Sequence, residues 1–100
     1  MTSTEFLTKV TETVATNGHR GNKHFKQMAS TANQALYEDM GRSDEPPESR
    51  EVHLRKAAVN AELELKAGLC QFKSGHAYHD LATEGNYRGL LRAYEQLRSC

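Results

Sequence analysis

Basic and titratable side chains gather in one short stretch, Gly18-His19-Arg20-Gly21-Asn22-Lys23-His24-Phe25-Lys26. His19, Arg20, Lys23, His24 and Lys26 bring positive charge and N–H donors, and the two glycines let the backbone turn its own N–H groups outward. A helix starting at Lys23 would add its positive end, and the whole would suit a phosphate or a carboxylate. The pattern has low specificity. No Walker signature accompanies it, and a solvated loop with a few charges accounts for the same residues. Phe25 could stack on a nucleobase, although its register with Met28 and Ala32 favours a core position.

A second candidate is His76-Ala77-Tyr78-His79-Asp80, with two imidazoles at i and i+3. That spacing can hold a metal if a third ligand arrives from elsewhere, and Cys70 is the nearest thiol. A solvated or helix-capping pair is the simpler account, so metal binding through His76 and His79 stands only as an alternative. His53 falls on a polar helix wall and reads as exposed. Glu62 and Glu64 point to different sides of the same helix, so they make no acid/base pair. Glu62 and Lys66, at i and i+4, read as helix support. No Glu-x-x-His motif and no serine elbow occurs. The expectation is a protein that is not an enzyme and needs no cofactor.

The elements that must position these groups are all helical. Helices are expected over about 3–16, 23–40, 46–73, 76–82 and 85–98, as one domain spanning 1–100. Thr2 and Glu5 have capping-box spacing, and Phe6, Leu7, Val10 and Val14 form a narrow stripe behind them. In the second helix Phe25, Met28, Ala32, Ala35 and Leu36 share a face, with Met40 at its edge and Gly41 as the stop. Ser43 or Asp44 can cap the third helix, and Pro46 and Pro47 suit its first turn. Gly68 and Gly75 weaken its far end. The last helix aligns Tyr87, Leu90, Leu91, Tyr94 and Leu97.

The third helix carries two opposed apolar stripes. Leu54, Ala58, Ala61, Leu65, Leu69 and Phe72 lie on one side, and Val52, Val59, Leu63 and Cys70 on the other. Such a helix must be covered twice, either as the middle of a bundle or by its own domain and a partner, and a thin core favours the partner. Val52, Val59, Leu63 and Cys70 are therefore the expected interface. The fold class is an all-α bundle of four to five helices around a central antiparallel hairpin, expected to be oligomeric.

Composition agrees with association. Thirteen Lys plus Arg balance thirteen Asp plus Glu, so no overall field draws nucleic acid or a membrane, and neither is an expected partner. Ten Leu, four Val and three Phe, with no Ile or Trp, make a thin core that a homodimer or larger assembly would supplement. No run approaches the ~18 apolar residues of a membrane span and no signal peptide opens the chain, which points to the cytoplasm. Cys70 reads as a buried thiol and Cys100 as an exposed one, rather than as a disulfide pair.

Residues 24–65 resemble the helical-hairpin domain of phage proteins that sequester the cyclic nucleotide signals of bacterial immunity, the anti-CBASS and anti-Thoeris sponges. His24-Phe25-Lys26-Gln27-Met28 is similar to the family's aromatic helix start, and Ala32, Ala35 and Leu36 to its continuation. Pro47-Glu48-Ser49-Arg50-Glu51 is similar to the family's turn, with Leu54, Val59 and Leu63 following in register. The family's late Trp-, Ala- and Asn-rich stretch is replaced by Glu64-Leu65-Lys66-Ala67. The resemblance implies a multimer that binds cyclic nucleotides without cleaving them, with His24, Lys26 and Arg50 as phosphate contacts. Two functional expectations follow. The first is stoichiometric binding to a host or partner protein, as by a phage-encoded inhibitor of bacterial defence. The second is a nucleotide sponge working through the basic loop.

Overall fold

The computed structural model describes residues 1–19, 21–71 and 87–96. They form four helices, α1 (Ser3–Asn17), α2 (Lys23–Met40), α3 (Pro47–Cys70) and α4 (Tyr87–Gln96), with no strand among the described residues. The helix expected over 76–82, the end of the one expected over 46–73, and the outer ends of the one expected over 85–98 lie outside the described residues. The principal extents are 44 × 24 × 17 Å. No helix among the described residues is long and apolar enough to cross a membrane.

α1 begins at a reciprocal capping box. The Thr2 hydroxyl accepts from the Glu5 N–H at 3.1 Å, and the Glu5 carboxylate accepts from the Thr2 N–H at 3.4 Å. Its threonines are poor helix formers, yet Thr11 and Thr16 return their hydroxyls to the carbonyls of Thr8 and Glu12. Phe6, Leu7 and Val10 are fully buried, and they hold the helix in place against α2 and α3. Gly18 closes α1 with φ 76°, a left-handed conformation that a side chain would strain, and its N–H bonds the Val14 carbonyl at 2.7 Å.

α2 presents Phe25, Met28, Ala29, Ala32 and Ala35 to the core, and α3 answers with Leu54, Ala57, Ala58, Ala61, Leu65 and Leu69. Alanines on both sides bring the two backbones close. The start of α2 bonds the end of α3 through Asn22, and the end of α2 bonds the start of α3 through Asp39, so the helices run antiparallel. Met40, expected at the edge of the buried face, is 76% exposed.

The start of α3 differs from expectation. Neither Ser43 nor Asp44 caps it; the helix begins at Pro47 behind Pro46, with no side-chain cap. The Pro46 carbonyl takes the N–H groups of Ser49 and Arg50 at 3.1 and 3.2 Å, so the proline ring's fixed φ supplies the geometry that a polar cap would otherwise set.

α4 packs on α3 and α1, with Leu90, Leu91, Ala93 and Tyr94 buried. Tyr87 stacks on Phe6 with ring centroids 4.0 Å apart, and Tyr94 meets Phe25 edge to face at 4.6 Å. The Tyr94 hydroxyl donates to the Gly18 carbonyl, tying α4 to the loop between α1 and α2.

Candidate functional site

The basic loop is built between two positive-φ glycines, Gly18 at 76° and Gly21 at 70°. Lys23 and Lys26 are exposed one turn apart at the start of α2, and His19 is exposed before them, whereas Arg20 lies outside the described residues. The N-terminus of α2 is not open. Asn22 is buried, and its Oδ1 accepts from the N–H groups of His24 at 2.8 Å and Phe25 at 3.4 Å, donors that an anion would otherwise take. Its Nδ2 donates to the Gly68 carbonyl at 3.3 Å and to Gln71 Oε1 at 3.0 Å, clasping the far end of α3.

The other contacts expected at this site are engaged or distant. His24 Nδ1 lies 2.8 Å from Glu64 Oε2, so a carboxylate already occupies the imidazole's side of the loop. Phe25 is fully buried against Tyr94, which removes it as a stacking platform. Arg50 grips Asp39 through two parallel bonds of 2.9 Å. Asp39 is sixteen positions along α2 from Lys23, about 24 Å at ~1.5 Å per residue, so Arg50 and the loop stand at opposite ends of the helix. The Arg50 hydrogen bond holds the Asp39 carboxyl below its ordinary range against the opposing effect of burial, and the same bond raises Arg50.

His76 and His79 lie outside the described residues, and among the described residues no three potential metal ligands cluster. His53 is half-buried rather than exposed, with Nε2 3.2 Å from Glu38 Oε2 but outside hydrogen-bond geometry. Glu62, expected as helix support with Lys66, is buried, with the Lys66 ammonium 3.8 Å away.

The remaining candidates form a continuous outward face. Val52 and Leu63 are each 59% exposed and Val59 39%, all on the side of α3 turned away from α1, α2 and α4. Cys70 continues that line and is exposed and free, which corrects its reading as a buried thiol. Its neighbour Leu69, a hundred degrees around the helix, takes the buried position instead. Val52, Arg55, Lys56, Val59 and Asn60 line a shallow hollow on this face.

Asn22 is the residue that sequence reading missed. An asparagine just before a helix is a signal for a cap, but the second role of its amide depends on the antiparallel return of α3. Gly68 likewise read as a weak point, while in the structure it makes room for the Phe25 ring. No family model, no curated protein and no solved structure matches the chain.

Proposed function

We propose that this protein works by stoichiometric docking to a partner protein through the outward face of α3, without catalysis. The observation that carries this reading is the exposed line of Val52, Val59, Leu63 and Cys70 on a helix whose opposite face is fully packed. Large apolar side chains repeated along one stripe expose a contiguous patch, and a covering surface removes it from water. Arg55, Lys56 and Asn60 border the stripe with polar groups, the usual composition of an interface rim.

Leu63→Glu tests the reading, because the side chain is exposed and its replacement leaves the core intact. The immobilised chain should capture its partner near one to one. The variant, with an unchanged circular dichroism melt, should bind at least about 30-fold more weakly, the equivalent of ~2 kcal/mol. Equal binding by both proteins would remove the outward face of α3 from the function.

A further inference from the structure

The hollow on α3 has a specific shape. Val52, Arg55, Lys56 and Val59 stand at i, i+3, i+4 and i+7, the diamond that receives one side chain of a facing helix in knobs-into-holes packing. Leu63, one turn beyond Val59 on the same face, projects the side chain such a hole accepts. Hole and knob therefore occur together on one surface.

We propose that this hollow receives Leu63 of a second copy of the chain, in an antiparallel pair of α3 helices related by a twofold axis near Asn60. The proposal rests on the reading of α3 as a docking surface and names its partner. A twofold axis makes the contact reciprocal, so one register fills both hollows at once. The same register sets Lys56 of each copy opposite Glu64 of the other. Glu64 engages His24 through Oε2, and a carboxylate can accept a further bond at its other oxygen. Val52 then falls against the Ala67 to Cys70 end of the facing helix, which covers all four outward apolar residues. A parallel pair would instead place Lys56 on Lys56 and align the two helix dipoles, both unfavourable. The chain's zero formal net charge leaves no long-range repulsion between copies.

Sedimentation velocity from micromolar to millimolar concentration tests the pairing. The mass should rise from 11.2 kDa towards twice that value. Leu63→Glu should remain at the lower mass throughout, with its thermal melt unchanged. Orientation is read by cross-linking with a short bismaleimide. Asn60→Cys in a Cys70→Ser, Cys100→Ser background should cross-link, whereas Cys100→Ser protein that retains Cys70 should not, since the antiparallel pair holds the two Cys70 thiols about 30 Å apart. A wild-type chain that stays at 11.2 kDa at millimolar concentration, a dimer indifferent to Leu63→Glu, or cross-linking through Cys70 would each overturn the proposal. Should the chain stay monomeric while Leu63→Glu still abolishes partner capture, only the second copy is removed. Failure of both experiments removes the docking face itself.

Discussion

Gly68 faces the Phe25 ring so closely that an added Cβ would stand 2.4 Å from Phe25 Cε1. Alanine is the better helix former by about 1 kcal/mol, but the ring is fully buried and overpacking costs about 1–3 kcal/mol. Gly68→Ala should therefore lower stability, read as a reduced urea midpoint, and a raised midpoint would show that the ring can move aside. Asn22 works beside it. One amide closes the start of α2 with its oxygen and the end of α3 with its nitrogen, so this corner of the molecule is fastened by polar bonds as well as by packing. The same economy removes two backbone donors from the anion site that the loop's charges outline.

At the scale of elements, the packed pair α2 and α3 is held at its other end by Asp39 and Arg50. Asp39 is held below its ordinary carboxyl range when folded, so its contribution to stability is present above that range and is lost as pH falls from it through the lowered folded value. Asp39→Asn should lower the urea midpoint at pH 7, and its difference from wild type should shrink by pH 3. A difference as large at pH 3 as at pH 7 would mean that the charge of the pair contributes nothing. The helices themselves were legible because their signals are local. Thr2 with Glu5, and Gly41, are boundaries set by a few neighbouring residues, and the buried stripes follow from the 3.6-residue period. The Arg50 partner was not legible, since Asp39 is eleven positions back and meets it only once the chain has turned. The two stripes of α3 were equally plain, and the one that the alanines of α2 cover is the stripe of Leu54, Ala58, Ala61, Leu65 and Leu69. Periodicity set Cys70 on the outward stripe, and the structure keeps it there, against its reading as a buried thiol.

Across the whole molecule, α4 adds a further tie between helices that already pack on one another. Tyr94 is fully buried, its ring edge meets Phe25 of α2, and its hydroxyl reaches the carbonyl that ends α1. Tyr94→Ala should reduce stability by about 3–5 kcal/mol, a large share of the total for a domain of this size, as measured by chemical denaturation. A loss below about 1 kcal/mol would show that α4 is an appendage and that α1 to α3 stand without it. The tyrosine bond also spans 76 positions of sequence, and the Asn22 clasp spans 46 and 49. All three converge on the pole of the bundle where the basic loop lies, while the opposite pole is secured by Asp39 and Arg50 across only 11. During synthesis the near-range pole can close as soon as the second and third helices have emerged. The other can form its Asn22 clasp once α3 has emerged, and gains the Tyr94 bond to the first loop only after α4 has followed.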